Sequence, residues 1–444
     1  KFMKKIVNAH LILLLVFCAI TSISAQEYNS PYSRFGLGDL TNSNFMLTRA
    51  MGSTGSSYAD NSSMNPVNPA SYSWLTLASY NVGFFSEYAR IQDDIVTEDR
   101  WTGNLEYLGI AFPLRNYKNE LLDPSTKKYK LGMAFFARPE SRVSYDVTTR
   151  EVLTEDEDID RRFFGTGGTY SVNWGNSIRF SNLSIGVNLG YLFGNINNNQ
   201  EINIVNESAQ FIDEITNEYS VAGFKYEAGI MYKYQLNKKQ KEQKKSVREK
   251  YLMFGLHGHV GQSFTTSGEF LHVGTFPIIN GLDTINQSGL SGTGFIPAQI
   301  GFGVNFVDGR KANVGVNVNY SPYSSFENSI RPEQEFRNIL SLGLGGKYTP
   351  DARGFGSFLE RTSYTFGLFY NQDPRIIQDQ ELDAYGINLG LSMPFFYQQN
   401  YSRIHVNIEL GQRGVGSIIS ENYAQIGLGL NFNDDSWFIR RKYN

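Results

Sequence analysis

From about Thr76 onward, large apolar residues recur at every second position, with Gly, Asn or Ser between them. Near the end of the chain Ala424, Ile426, Leu428, Leu430 and Phe432 share one face of an extended segment, and Gln425, Gly427, Gly429 and Asn431 share the other. Leu183, Ile185, Val187, Leu189 and Tyr191 alternate in the same way with Ser184, Gly186, Asn188 and Gly190. So do Val314, Val316, Val318 and Tyr320 with Asn313, Gly315, Asn317 and Asn319, and Tyr385, Ile387, Leu389, Leu391 and Met393 with Gly386, Asn388, Gly390 and Ser392. A soluble β-sandwich presents Lys, Glu and Thr on its polar face, toward water. Here the polar face is mostly Gly and Asn, which suits the concave interior of a barrel whose apolar face meets lipid. The pattern predicts an all-β fold, a transmembrane antiparallel β-barrel, with a soluble sandwich as the alternative.

Fourteen strands fit the pattern, at Thr76 to Val96, Gly103 to Arg115, Tyr129 to Leu153, Arg162 to Phe180, Leu183 to Asn206, Glu218 to Leu236 and Lys250 to His272. The rest are Gly294 to Val307, Ala312 to Phe326, Phe336 to Thr349, Arg361 to Ile376, Gln380 to Phe396, Ser402 to Gly414 and Glu421 to Asn433. An even count places both barrel ends on the periplasmic side. The connections then sort by character. Glu98-Asp99, Glu155 to Asp160, Asn206 to Asn217, Glu327 to Glu335 and Asp379 to Asp383 fall outside, while tight turns at Ser181-Asn182 and Asp308 to Lys311 fall on the periplasmic side. Asn116 to Lys128 and the basic run Asn237 to Glu249 are longer inner connections, the second read as a solvated turn.

Composition agrees with one large β-architecture: of 444 residues 14% are aromatic, 43 are Gly and 19% are charged. Net charge is -3, so no clustered basic surface draws the chain to nucleic acid. Met3-Lys4-Lys5, the apolar run Ile6 to Ile20 and the small residues Ser22 to Ala25 form an expected secretory signal over 1–25. The only cysteine, Cys18, lies within it, which excludes disulfides and thiol chemistry from the mature chain. No later run is apolar enough for a membrane helix, so crossing a membrane requires a closed barrel.

Residues 26–75 lack the alternation and precede a barrel expected over 76–444. They carry Arg49-Ala50-Met51-Gly52-Ser53-Thr54-Gly55, then Asp60-Asn61, then Asn68-Pro69-Ala70 just before the first strand. In that order the motifs resemble the FadL family of outer-membrane transport proteins. The resemblance implies a plug inside a fourteen-strand barrel, with Arg49, Gly52, Gly55, Asp60, Asn68, Pro69 and Ala70 as its motif. Asp60-Asn61 stands where that family has an acidic pair, and Ser71 where it commonly has Gly. The resemblance further implies passive uptake of fatty-acid-like hydrophobic molecules; PorV-like relatives instead serve as subunits of secretion machinery. Outer-membrane lipid, a hydrophobic ligand, and other outer-membrane or periplasmic proteins are the partners so implied.

Chemistry-bearing groups are sparse. His257 and His259 share one face and His405 by parity also points inward; without a nearby carboxylate they are read as lumen polar residues, not metal ligands or a catalytic set. Gly-rich stretches such as Gly165 to Gly168 lack the following Lys-Ser/Thr of a phosphate loop, so no enzyme activity and no cofactor is expected. Glu409 and Arg413 point inward, and with Arg138 are expected to hold the plug. Pro139 interrupts the third strand and cannot donate to a ladder, so Arg138, Pro139 and Glu140 should form a bulge or a turn. The FadL resemblance implies a lateral exit there.

Overall fold

A computed structural model describes residues 30–438, except 93–95, 117, 120–128, 155–156, 207–208, 239–246, 277–280, 332–333, 352–355, 378–379, 398–399 and 415–418. A two-residue strand, β1 (Asp39–Leu40), precedes the wall. The wall runs through β2 (Ala78–Gln92), β3 (Thr97–Pro113), β4 (Tyr129–Thr154), β5 (Glu157–Phe180), β6 (Leu183–Asn206), β7 (Ala209–Gln235) and β8 (Lys250–His259). A hairpin of β9 (Gln262–Phe276) and β10 (Gly281–Ile296) follows, then β11 (Gln299–Asp308), β12 (Ala312–Ser321) and the short β13 (Glu327–Asn328). β14 (Ile339–Tyr348), β15 (Ser363–Ile377), β16 (Gln380–Tyr397), β17 (Asn400–Arg413) and β18 (Ser420–Asp434) complete the chain.

Each wall strand is antiparallel to its neighbours. β8 pairs past the hairpin directly with β11, from Lys250↔Asp308 to His259↔Gln299. β18 returns to β2, from Ala78↔Asp434 to Gln92↔Ser420, so fourteen strands close and no wall strand ends the sheet. Ser181-Asn182 and Gly309 make tight turns at the end where both barrel termini lie, with positive φ at Ser181 (54°) and Gly309 (56°). We call this end the lower one.

The alternation decides which face meets lipid. Leu183 to Tyr191, Val314 to Tyr320 and Tyr385 to Leu391 expose their odd- or even-numbered apolar members outward as the sequence pattern requires. Burying these on one another is impossible on a convex surface, so a hydrocarbon solvent is what they are matched to. No helix among the described residues is long and apolar enough to cross a membrane.

Two expectations are corrected. The seventh and eighth strands were expected over Lys250 to His272 and Gly294 to Val307, but each breaks, at Val260-Gly261 and at Pro297-Ala298. The pieces beyond the breaks are β9 and β10, which leave the wall as a hairpin, with β9 pairing with the upper half of β7 (Ile212↔Thr275 to Ala222↔Thr265) and β10 with β9. The count survives because β8 and β11 close behind them. Second, the acidic outer connections are mostly ladder: Glu98-Asp99 lies in β3, where Arg90 Nε meets Asp99 Oδ1 at 2.8 Å, and β7 begins at Ala209 instead of Glu218. Strands polar on both faces carry no alternation, yet above the lipid they pair in water just as well. β4 also changes parity at Glu140, so Val143 and Tyr145 point into the barrel with Leu37, Leu192 and Tyr219. The basic run 239–246 lies outside the described residues.

Candidate functional site

The lumen is filled by residues 30–75. Asn-Pro steps and short 3-10 turns, not regular structure, shape this segment: Asn68 caps the turn Pro69–Trp74 by accepting from Ala70 N at 3.1 Å, and Asn65 Nδ2 donates to Gly55 O (2.7 Å) and Tyr58 O (2.8 Å). Asn68 Nδ2 also donates to Ser56 O at 2.7 Å. An irregular backbone buried inside a barrel must find partners for its polar groups, and side-chain amides of the same segment supply them. The wall yields room through glycines: a Cβ on Gly132 would overlap the Tyr72 carbonyl, and one on Gly255 the Ser56 carbonyl. Gly52 itself has φ +68° and lies against Leu344 and Leu368 carbonyls, a position no other residue takes without strain.

Arg49 is the main tie. On the short helix α1 (Met46–Arg49) it is 8% exposed and reaches three strands: Glu409 at 2.7 Å on β17, Glu106 on β3 and Gln425 at 2.7 Å on β18. The other ties spread along the lumen. Asp39 takes Arg375 and, at 3.5 Å, Arg413; Ser43 O accepts from Arg138 at 3.2 Å; Asp60 meets Lys347 at 3.5 Å; and Ser56 Oγ meets His257 Nε2 at 2.8 Å. Burial alone would raise the Asp60 carboxyl, but Lys347, Arg403 and the Ser62 hydrogen bonds hold it well below the usual carboxylate range. Glu409, Arg413, Arg138 and His257 thus all touch the segment, and His259 lies half-buried at the cavity edge. His405 is buried in the wall, its Nδ1 unpartnered among the described residues.

The wall is incomplete between β3 and β4. Their ladder runs only from Pro113↔Gly132 to Leu108↔Ala137 and stops. Two bulges flank the stop. On β3, Glu106 is the extra residue between the pairs Gly83↔Tyr107 and Phe84↔Leu105. On β4, Glu140 is the extra residue between Pro139↔Tyr170 and Ser141↔Thr169. A proline without a donor and an inserted residue turn β4 away from β3, and both bulges deliver a carboxylate to the interior. Glu140 is held there by Lys225 (2.7 Å) and Arg138 (3.1 Å). The vacated edge of β4 pairs instead with the lumen segment: β1 aligns Asp39↔Arg142 and Leu40↔Ser141, and Thr41 N donates to Glu140 O at 3.0 Å. Pro139 therefore makes neither uninterrupted pairing nor a hairpin, and the count of fourteen wall strands stands.

Behind the gap lies a cavity of about 400 Å³, lined by Leu40, Phe85, Arg142, Glu106, Glu140 and Glu227 among others. Leu40, 45% exposed, lines this cavity, and Leu105 and Leu108 of β3 beside the gap are exposed as well. The Arg142 guanidinium lies 4.1 Å over the Phe85 ring. The lining mixes charge with apolar surface, and no group of three His, Cys, Asp or Glu among the described residues is placed to hold a metal.

Comparison with known proteins assigns the chain. A family model described as BamG matches residues 3–444. The chain belongs to the BamG family. Among solved structures this BamG-family chain is similar to the toluene transporter TbuX of Ralstonia pickettii (12% identity, TM-score 0.52, 89% of this chain and 99% of that one). It is also similar to the toluene transporter TodX of Pseudomonas putida (12%, 0.51, 89% and 98%) and to a FadL homologue of Pseudomonas aeruginosa (11%, 0.53, 90% and 99%). At such identities the likeness is one of fold, a FadL-type barrel. No curated protein matches the chain.

Sequence reasoning missed Glu106, Asp39, Arg375 and Arg142. The only sequence trace of Glu106 is its place as a lone acid in the apolar stretch Leu105 to Phe112.

Proposed function

We propose that this chain is a plugged barrel of the outer membrane of a Gram-negative cell that takes up a small hydrophobic molecule with a polar head and releases it sideways through the gap between β3 and β4. One observation carries this: the ladder stops at Ala137, and a cavity that Leu40 helps to line lies behind the stop. The printed descriptions of TbuX and TodX as toluene transporters support the direction of the reading. Residues 1–25 act as the export signal and 26–75 as the plug. The charged lining would hold a head group, and Leu40, Leu105 and Leu108 an apolar tail. Accumulation of a labelled fatty acid by cells carrying the protein, the deletion variant lacking Glu140, or neither tests it. The reading expects faster accumulation with the intact protein alone; equal rates with a folded barrel count against it.

The alternative reading, a barrel subunit of a larger outer-membrane assembly that transports nothing, has less support, because the solved structures that share the fold include toluene transporters. What speaks for it is that the plug is tied to the wall by ion pairs from Asp39, Arg49 and Asp60 at three places along the lumen. Co-purification of other outer-membrane proteins in mild detergent, together with no accumulation, supports that reading.

A further inference from the structure

The β9–β10 hairpin projects from the upper end of the wall, where β9 pairs with β7 on one edge and β10 on the other. Among the described residues, the outer edge of β10 is covered only at its base, by β13 at Gly294 and Phe295 and by Ser329, whose N–H donates to Thr293 O. From Leu282 to Gln287 that edge meets no other strand among the described residues, and Asp283 to Gln287 are exposed. Edges left open to water are ordinarily blunted by Lys or Pro. Between Gly281 and Ile296 there is neither; a bulge at Ser288-Gly289 bounds the open stretch without covering it.

Charge gives the second observation. Over Ala209–Phe224 and Gln262–Ile296 there is no Lys or Arg, whereas Asp213, Glu214, Glu218, Glu269 and Asp283 are all carboxylates. Glu218 and Glu269 stand directly opposite one another on β7 and β9, both exposed. Like charges in that position destabilise a sheet unless a cation neutralises them.

We propose that the Leu282–Gln287 edge of β10 is a docking site for an extended, Lys/Arg-bearing segment of another polypeptide, which adds as a strand while its basic side chains meet the acidic hairpin. Main-chain pairing supplies the affinity and the carboxylates the selection. The site is apart from the lumen and the gap, so it stands or falls independently of both readings above.

The test uses the full chain in detergent and a short peptide alternating Lys with Thr, beside its Glu–Thr counterpart. Hydrogen–deuterium exchange is expected to slow across residues 282–287 with the Lys peptide only. The Glu218→Gln/Glu269→Gln double variant should weaken binding roughly tenfold, and added salt should do the same. Neighbouring residues direct their backbone groups to opposite edges, so of Ile285→Pro and Asn286→Pro the one that removes an outer donor should abolish binding. Equal binding of both peptides, or protection elsewhere, overturns the proposal. So does protection of 282–287 without peptide that rises with protein concentration, since a second copy of the chain would then be the occupant.

Discussion

Replacing Arg49 with Met removes the cation that three strands share. Met fills much of the same volume, so packing is little changed, but Glu106 and Glu409 are left facing each other, 5% exposed each, with no countercharge from the plug. Removing one partner of a buried ion pair costs about 3–5 kcal/mol, and the adjoining cavity points to the lower end. About 3 kcal/mol multiplies the undocked population of the plug roughly 100-fold. The wall itself should be unaffected, because its ladders and lipid face do not involve Arg49. Arg49→Met is therefore expected to keep heat-modifiable migration in gels, while protease cleavage within residues 30–75 and conductance in planar bilayers both rise. Arg49→Met combined with Glu106→Gln and Glu409→Gln should recover most of the closed state, since no charge is left unpaired. If the single variant stays closed, or the triple variant is as open as the single one, the ion pairs do not hold the plug.

Leu189→Arg, on the lipid face of β6, should cost about 2–4 kcal/mol near the bilayer midplane and reduce the folded band, while Asn313→Ser on the lumen side of β12 should be mild; equal losses would refute the parity. Gly255→Val drives a side chain into the Ser56 carbonyl, so it should raise conductance without unfolding the wall, and unchanged conductance would mean the segment is not seated where described. Deleting Glu140 removes the β4 bulge and should let the β3–β4 ladder lengthen past Ala137, seen as slowed amide exchange above Leu108; unchanged exchange there would show that the bulge does not cause the gap.

What the sequence disclosed follows from which solvent each residue meets. Ile185, Val187 and Leu189 face lipid, while Gly186, Asn188 and Gly190 between them face the lumen, so the contrast repeats every second residue and is plain. Asn68, Pro69 and Gly52 were legible for a different reason, since each imposes backbone geometry by itself. The two bulges, at Glu106 and Glu140, leave no trace in the alternation itself, because one inserted residue leaves the period intact on either side and only shifts its phase. Pro139 marked one of them; nothing equivalent marks the other. The inward face of β9 carries Gln262 and Thr266 beside Phe264, so the hairpin shows no apolar alternation, and its break from β8 rests on Val260-Gly261 alone. Pairs such as Asp39 with Arg375 join residues far apart in the chain, which no local pattern encodes.

The lateral route is tested most directly by photo-crosslinking a diazirine-bearing fatty acid to the reconstituted protein and mapping the adducts. The account predicts adducts on Leu40, Phe85 and Arg142, inside the gap and the cavity behind it, that disappear when Glu140 is deleted. Adducts confined to lipid-facing positions such as Leu189 and Val316, identical in the intact and deleted proteins, would contradict it.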